Sequence, residues 1–494
     1  MRKFFIQLAL QCIVLSAISQ KKIAALNVDK NFQIEDYAKA YYNKYKNSFG
    51  IVLQNGNNFT RLMYDGNFNL TDSFSFNANT ITFNYNQSNR LKFLTNISLE
   101  GENYEAYADR EKIVFINPDF KDKIDKIIYE HIMAQTEKDE TLLAVFPGRN
   151  EIRILSASFR KNKLFLYTWK PDRNIIKASL DLPESNITDE QQKKEIPKIA
   201  RINFSRYLTN LTVQPIKQTS LLGSRNASLH YSDSIAYIKI ATPYNLGVYI
   251  MELNLITNQL KGINFFINSL KDNASDNAYQ HKNVTSLIYD TLLILKNASD
   301  KIFEYYFYDI RTGKQLKKYS SSSNNLNALI HSDLKQKGTW GSANEEKEFD
   351  NYKQYLRKGG RGIIVAATVS TDSLTITNLF LQPTSGVAGT LLDFLVPLPL
   401  DFAGMPMYIT SFMPPLGKFR DKIIYAHSRF SIKDLLPSNS TSVTTALDYL
   451  LTDKNSENIS LNSSFFINNN ESYYLGYYSK DSKKIEIYRY DVVQ

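Results

Sequence analysis

The chain has 494 residues, 43% of them hydrophobic, and a formal net charge of +10. A chain of this length can bury a core large enough to fold without disulfides. The single cysteine, Cys12, leaves the remainder of the chain without disulfides, cysteine nucleophiles or thiolate metal ligands. The positive charge is modest and no nucleic-acid-binding motif is present, so nucleic acid is not an expected partner.

Residues 1–19, MRKFFIQLALQCIVLSAIS, have the features of a secretory signal peptide. Arg2 and Lys3 precede a mostly apolar run, and the small residues Ala17 and Ser19 suit cleavage before Gln20. An uncleaved anchor is the alternative, but the run is shorter than the roughly 20 apolar residues of a membrane span. We therefore expect a secreted protein, or one in the lumen of the secretory pathway, without a transmembrane span.

Acceptor sequences for N-glycosylation support export. The motif Asn-X-Ser/Thr, with X not proline, marks surface positions of secreted proteins. Fifteen asparagines match it and are expected to include several glycosylation sites: Asn58, Asn69, Asn86, Asn96, Asn186, Asn203, Asn210, Asn226, Asn273, Asn283, Asn297, Asn439, Asn458, Asn462 and Asn470.

After the signal, residues 20–48 are predicted to form an N-terminal helical segment, because VDKNFQIEDYAKAYYNKYKN has helical spacing. Residues 49–494 are predicted to form a single domain with helical and loop insertions near 120–140, 183–230 and 320–361. In the first insertion, one helical face would carry Ile124, Ile127, Ile128, His131 and Ile132.

Between these segments the chain is rich in short β-type runs separated by polar turns. Stretches starting at Ser234, Thr291 and Gly362 each look like consecutive antiparallel strands. Thr257-Asn258-Gln259 and Arg311-Thr312-Gly313-Lys314 are predicted turns within the first two. The unit recurs at intervals of about fifty to seventy residues, as expected for a repeat architecture.

The segment YDIRTGKQL is similar to the Asp-X-X-Thr-Gly-Lys turn of quinoprotein-like repeats, and with this motif the chain resembles the β-propeller class. The resemblance implies an all-β propeller of about seven blades and brings no catalytic residues with it. Paired β-sandwich domains are the alternative fold. Because joining the chain ends removes exposed strand edges, the last strand, KKIEIYRYDV, is expected to pair with FGIVLQ.

Residues suited to catalysis are sparse. The five histidines are scattered, so no metal site is predicted, and no cofactor is expected. Glu100, Glu102 and Glu105 could include the acid of a glycosidase, which uses two carboxylates across the scissile bond. No sequence pattern identifies the second carboxylate, so we assign no catalytic residues.

The proline-rich stretch PLPLDFAGMPMYITSFMPPLG, residues 397–417, is predicted to be an apolar loop. Its side chains either pack between blades or form a surface that contacts a partner. The candidate binding residues are Phe402, Met405, Met407, Tyr408, Phe412 and Met413.

Taken together, these features predict a secreted, N-glycosylated propeller that acts as a non-enzymatic protein-binding or structural module. The expected partner is another extracellular or membrane-associated protein. Basic stretches at Ser158–Lys177 and Lys353–Gly362 make an anionic glycan a second candidate. The alternative is an extracellular, glycosidase-like hydrolase with propeller architecture, which predicts convergent carboxylates in a polar pocket near the central channel.

Overall fold

The computed structural model describes the parts of the chain that carry its β-strands. The described residues are 21–27, 37–43, 47–55, 58–77, 92–99, 102–108, 112–116, 127–132, 140–148, 151–169, 175–182, 208, 211–216, 227–241, 247–266, 283–298, 302–322, 328–338, 347–348, 363–369, 372–382, 422–438, 464–468, 472–479 and 482–491. The predicted signal peptide and the candidate binding residues lie outside these ranges.

The described strands divide between two compact units. The smaller unit comprises Met1–Phe83, Met413–Phe419 and Thr444–Gln494. One of its sheets has the order β2-β3-β4-β5 and the other the order β1-β30-β29-β28. Their bounds are β1 Lys21–Asn27, β2 Tyr37–Asn43, β3 Ser48–Asn55, β4 Asn58–Asp65, β5 Leu70–Asn77, β28 Ser464–Asn468, β29 Ser472–Ser479 and β30 Lys484–Asp491.

The larger unit comprises Asn84–Phe412 and Arg420–Val443 and contains five sheets. Its strands are β6 Lys92–Leu99, β7 Glu102–Ala108, β8 Lys112–Ile116, β9 Ile127–Ile132, β10 Thr141–Gly148, β11 Glu151–Ser158, β12 Lys163–Trp169, β13 Ile175–Asp181, β14 Thr212–Pro215, β15 Ala227–Tyr231, β16 Ile235–Ala241, β17 Gly247–Asn254, β18 Gln259–Phe266, β19 Asn283–Tyr289, β20 Leu292–Ala298, β21 Ile302–Asp309, β22 Gln315–Ser322, β23 Lys335–Gly338, β24 Lys347–Glu348, β25 Ile363–Val369, β26 Ser373–Gln382 and β27 Lys422–Ser431.

Sequential antiparallel pairing defines the sheets of the larger unit. Their orders are β6-β7-β8-β9, β10-β11-β12-β13, β14-β15-β16-β17-β18, β19-β20-β21-β22 and β24-β23-β27-β26-β25. In this unit β6 contacts β10, and β19 contacts β25, so first strands of different sheets lie side by side. Four-stranded meanders arranged with their first strands together are blades of a β-propeller. The predicted fold class is thereby confirmed.

Two sheets of the larger unit depart from a simple meander. In one, β14 pairs in parallel with β15, so an additional strand covers the edge of the meander. In the other, β23 pairs with β27 although β23 comes before β25 and β26 in the chain. The predicted loop insertions near 183–230 and 320–361 therefore contribute strands to the blades.

The predicted number of about seven blades in one domain requires correction. The larger unit contains five sheets, and two further four-stranded sheets belong to the smaller unit. A regular strand-and-turn pattern reveals how many sheets a chain can form, but it does not reveal how the sheets are grouped into compact units.

The helical predictions for residues 20–48 and for the segment near 120–140 are wrong where the structure describes them. The first range contains β1 and β2, and the second contains β9. In β9, most of IIYEHI is β-branched or aromatic, and pairing with β8 determines its conformation. Helical spacing in a short segment is a weak signal when a neighbouring strand can supply hydrogen bonds.

Pairing of the chain ends is confirmed, but with another partner. The last strand, β30, is antiparallel to β1 rather than to FGIVLQ, which lies in β3 between β2 and β4. Lys22 is opposite Tyr488, and Leu26 is opposite Ile485. The N-terminal strand thus completes the sheet formed by the last three strands of the chain.

Both predicted turns are confirmed. Between β21 and β22, the Asp309 carboxylate accepts hydrogen bonds from the backbone N–H of Thr312 at 2.8 Å and from its hydroxyl at 3.0 Å. Gly313 then takes a φ of +70°, in the left-handed region that glycine enters without strain. Asn258 has a φ of 53° in the turn between β17 and β18.

Three sheets share an arrangement of one glutamate, one tyrosine and one lysine, here called a Glu–Tyr–Lys cluster. In each, the tyrosine hydroxyl donates to the glutamate Oε2 at 2.7–2.9 Å, and the lysine Nζ lies 2.6–3.3 Å from Oε1. The clusters are Glu140–Tyr167–Lys177, Glu304–Tyr306–Lys318 and Glu486–Tyr488–Lys22.

Strand register explains why the cluster recurs. In all three sheets the lysine is the direct cross-strand neighbour of the tyrosine, so both side chains lie on one face. Glu304 and Glu486 stand two positions before their tyrosines, which puts them on the same face again. Burial opposes ionisation of Glu304, but hydrogen bonds from Asn297 and Tyr306, with Lys318 nearby, lower the pKa of its carboxyl below the usual value.

Replacing Glu304 with alanine should lower the free energy of unfolding by about 2–3 kcal/mol, because buried donors on Asn297 and Tyr306 would lose their acceptor. Asp181→Ala, which removes an exposed cross-strand partner of Lys163, is the control and should change stability by less than about 0.5 kcal/mol. Urea titrations measure both variants. Equal stability of the two would show that the cluster contributes nothing measurable.

Candidate functional site

The candidate binding residues predicted from the proline-rich stretch are not among the described residues. The segment that holds them, residues 383–421, connects two adjacent strands of one sheet. Gln382, the last residue of β26, pairs with Lys422, the first residue of β27. The chain therefore leaves this sheet and returns to it at neighbouring positions.

Sequon asparagines occupy contrasting environments where the structure describes them. Asn58 and Asn69 are exposed, at the start of β4 and just before β5. Asn96 and Asn283 lie on β6 and β19. The remaining sequon asparagines are outside the described residues, except for Asn297.

Asn297 lies in an environment that does not suit a glycan. Its side chain is only 6% exposed on β20, and its Nδ2 donates a 2.8 Å hydrogen bond to Glu304. Nδ2 is the atom to which an N-linked glycan would be attached, and a bulky glycan requires a surface position. The folded sheet therefore has no room for a glycan at Asn297.

One group of buried polar side chains lies on β14, β15 and β16 and is here called the Ser–His cluster. It consists of Gln214, Ser228, His230 and Lys239, and the last three are each 1% exposed. Gln214 lies opposite His230, and Ser228 lies opposite Lys239. Alternation along the strands therefore brings all four side chains to one face of the sheet.

Hydrogen bonds link the members of the Ser–His cluster. The Ser228 hydroxyl lies 2.9 Å from His230 Nε2, and Gln214 Nε2 lies 2.9 Å from His230 Nδ1. Lys239 Nζ donates to the backbone oxygen of Ser286 on β19 at 2.9 Å, which connects two sheets of the larger unit.

Burial governs ionisation in this cluster. Desolvation, followed by the charge of Lys239, lowers the pKa of His230 well below its usual 6.5. Desolvation also lowers the pKa of Lys239 to about 7. The imidazole is therefore neutral near pH 7, with one nitrogen that donates and one that accepts.

The hydrogen-bond pattern separates this cluster from a catalytic triad. With the amide nitrogen of Gln214 as the donor, Nδ1 of His230 accepts, and the neutral imidazole then carries its hydrogen on Nε2, toward Ser228. An imidazole in this tautomer cannot take the serine proton. In a triad, a carboxylate on the other nitrogen holds the opposite tautomer. Here Gln214, His230 and Ser228 form a buried hydrogen-bonded chain between strands, and Lys239 bonds to the backbone of Ser286.

Two other histidines, His331 and His427, have structural partners on or beside β27. His331 Nδ1 accepts from the backbone N–H of Arg429 at 2.8 Å, and the Ser332 hydroxyl oxygen accepts from the N–H of His427 at 2.9 Å. The side chains of two residues that precede β23 in the chain thus accept hydrogen bonds from the backbone of β27. Thr377 lies 3.0 Å from His427 Nδ1. Burial, and then Arg429, lower the pKa of His331.

Glu105, one of the three glutamates considered for glycosidase chemistry, is buried on β7 and accepts a 2.7 Å hydrogen bond from Tyr107. Glu102 begins β7, and Glu100 lies outside the described residues. Within the described ranges, no group of three or more His, Cys, Asp or Glu side chains is placed to hold a metal ion. The two convergent carboxylates that the hydrolase alternative requires are not found in the Ser–His cluster.

Sequence reasoning missed the Ser–His cluster and the Glu–Tyr–Lys clusters. In ASLHY the serine and histidine alternate with apolar residues, which predicts a strand with one polar face. The spacing Glu-X-Tyr in β21 and β30 was a usable signal, because it puts both residues on one face. The lysine in each case comes from another strand, and only the register identifies it.

Comparison with known proteins gives structural likeness only. No protein-family model and no curated protein matches the sequence. Among solved structures, the chain is similar to the propeller of Dos1, with 8% identity over 96% of this chain and 98% of that one and a TM-score of 0.34. It is also similar to the β-propeller domain of Nup133 from Vanderwaltozyma polyspora, with 9% identity, coverage of 94% and 97%, and a TM-score of 0.36.

An oligogalacturonate lyase in complex with manganese has 7% identity, coverage of 97% and 98%, and a TM-score of 0.39. The assignment to the β-propeller class rests on the chain's own sheets. Within the described ranges, no helix is both long enough and apolar enough to cross a membrane.

The Ser–His cluster should make stability depend on pH. Unfolded lysine keeps its usual pKa of about 10.5, so between pH 10.5 and 7 the unfolded chain binds more protons than the folded chain at Lys239. The free energy of unfolding should fall as the pH is lowered through this window, by at most about 1.4 kcal/mol per pH unit for one group. His230 should add a further fall below about pH 6.5.

Urea titrations of Lys239→Met across pH 7–10 should show a smaller slope than the unchanged chain. Lys314→Met, at an exposed turn position, is the control and should keep the original slope. Identical pH profiles for both variants would rule out Lys239 as a source of the dependence.

Proposed function

We propose that this chain is a secreted, N-glycosylated β-propeller that acts as a non-enzymatic protein-binding or structural module. Residues 1–19 would be removed as a signal peptide, and the partner would be another extracellular or membrane-associated protein. The candidate contact residues are those of the proline-rich stretch: Phe402, Met405, Met407, Tyr408, Phe412 and Met413.

The observation that carries the binding proposal is the pairing of Gln382 with Lys422. Antiparallel neighbours need a connection of only about two to five residues, and much longer connections are usually functional. Here residues 383–421 separate two strands that pair along their whole length. Pairing of β26 with β27 does not require a connection of this length. The apolar side chains of the connection are therefore suited to contact with another protein.

The environment of the buried ionisable groups supports a non-enzymatic role. His230 and Lys239 are closed off from solvent, and Glu304 and Glu486 are occupied by tyrosine and lysine partners within their own sheets. Catalytic groups must reach a substrate, whereas these groups hold strands together.

The anionic-glycan alternative draws on the basic stretch at Ser158–Lys177. Within it, Lys177 lies 3.0 Å from the buried Glu140 carboxylate and over the rings of Phe165 and Tyr167. Lys177 is exposed, but its charge is paired with Glu140, so this lysine is less available to an anion. Binding of a protein partner is therefore the function that we favour.

Glycan mapping tests the secretory assignment. In chain recovered from secretory cells, Asn58 and Asn69 should carry glycans, because both are exposed, while Asn297 should be unmodified. Asn58→Gln and Asn69→Gln should each remove one glycan and leave the chain folded. Glycopeptide mass spectrometry decides the matter, and unmodified sequons with Met1 retained would contradict export.

Replacing Phe402, Met405 and Met407 together with serine should reduce recovery of the native partner by about tenfold or more, because anchors of this type dominate interfaces. The melting temperature should stay within a few degrees, since exposed side chains contribute little to stability. The readouts are quantitative mass spectrometry of co-purified protein and thermal unfolding.

A matched control replaces three exposed apolar residues on outer strands with serine: Ile175, Ile176 and Leu316. This variant should retain the partner. A folded Phe402/Met405/Met407 variant with full recovery would refute the contact, and one that fails to fold would assign these residues to a core.

A further inference from the structure

The last sheet of the smaller unit is completed by a strand from the opposite end of the chain. The strand β1 occupies the outer edge beside β30, with cross-strand pairs from Lys21 to Asn27. Residues 28–36 alone connect β1 to β2, which lies in a different sheet. Among the described strands, β30 is therefore the one neighbour that holds β1 in a sheet.

The two strands differ in how deeply their side chains are buried. Ile485 and Ile487 of β30 are fully buried in the core of the smaller unit. Of the β1 side chains that the structure describes, Leu26 is buried and Ile23 and Ala24 are half-buried against the same core, while Lys22, Ala25 and Asn27 are exposed. Elements with few buried apolar contacts open at low free energy, so β1 should leave the sheet before β30 does.

The edge of β30 binds its neighbouring strand through a charged contact as well as through backbone hydrogen bonds. The Glu486 carboxylate is 8% exposed, accepts from Tyr488 at 2.7 Å, and lies 2.6 Å from Lys22 Nζ. Burial opposes ionisation of Glu486, and Lys22, Tyr488 and Ser482 together lower the pKa of this carboxyl. An incoming strand that lacked a cation opposite Tyr488 would leave the carboxylate without its counter-charge.

We infer that the outer edge of β30 is a strand-accepting site, and that β1 of a second copy of this chain can occupy it. A second copy supplies the same lysine and the same leucine in the same register. Exchange of β1 therefore preserves the contacts between β1 and β30. The balance between the closed monomer and the strand-exchanged dimer then depends on the protein concentration. A vacant edge with unpaired backbone groups is also the surface to which a free β-strand adds.

Cross-linking between two different chains tests the exchange. All variants are full-length and carry Cys12→Ser, which removes the only natural cysteine. One chain carries Asn27→Cys and the other Lys484→Cys, two positions paired in the ladder. Paired residues in antiparallel strands have Cα atoms about 4.5–5.5 Å apart, within the range for a disulfide. A disulfide between the two chains can form in this register only when β1 of one lies on β30 of the other.

After mixing at high concentration and oxidation, mixed dimers should exceed those of a control mixture by about tenfold, because exchange raises the effective concentration of the two thiols. The control pairs Asn27→Cys with Lys163→Cys, a half-buried position at the start of β12. Non-reducing electrophoresis and peptide mass spectrometry identify the products.

Adding Lys22→Ala to both chains should speed mixed-dimer formation about two- to fivefold, since the ion pair with Glu486 is partly exposed and its loss loosens β1 modestly. Adding Lys163→Ala instead should leave the rate unchanged. Mixed dimers no more abundant than in the control mixture would overturn the inference. A single chain with both cysteines checks the register, because it should close internally at low concentration.

Discussion

Pairing of buried polar groups is the constraint on which this structure depends. Strands such as β11 and β21 are buried along nearly their whole length, so polar side chains on them face protein on either side. Glu304 meets this constraint by accepting hydrogen bonds from Asn297 and Tyr306 and pairing with Lys318. A buried carboxylate without such partners would cost several kcal/mol. The Glu–Tyr–Lys cluster recurs in three sheets because in each a glutamate with little exposure needs a hydrogen-bond donor and a counter-charge.

The Ser–His cluster meets the same constraint with a neutral histidine and a lysine whose pKa is lowered by burial. His230 lies between Gln214 and Ser228, and Lys239 reaches a backbone oxygen in the next sheet. Its chemistry resembles that of an active site, but closure to solvent and the tautomer set by Gln214 give it a connecting role. A serine next to a histidine therefore indicates catalysis only when the third residue of the triad and the accessibility of the site are also known.

Much of the fold could be predicted from the sequence, because strand alternation and turn chemistry are local. The turn at Asp309–Lys314 depends on side chains within four positions and on one glycine, and it was predicted correctly. The conformations of β1, β2 and β9 depend on strands elsewhere in the chain, which local spacing cannot reveal. The same limit applies to Asn58 and Asn297, which share a motif while one is exposed and the other buried.

The positions of β1 and β23 bear on the order in which the chain can fold during synthesis. A domain made on the ribosome folds as its segments emerge, but β23 must wait for β27, which follows it by more than eighty residues. The contact between Lys22 and Glu486 spans 464 positions. Strand β1 is therefore made long before its partner, and its sheet cannot be completed until β30 has been synthesised. Long-range closure of this kind slows folding and prolongs exposure of an open strand edge to other chains.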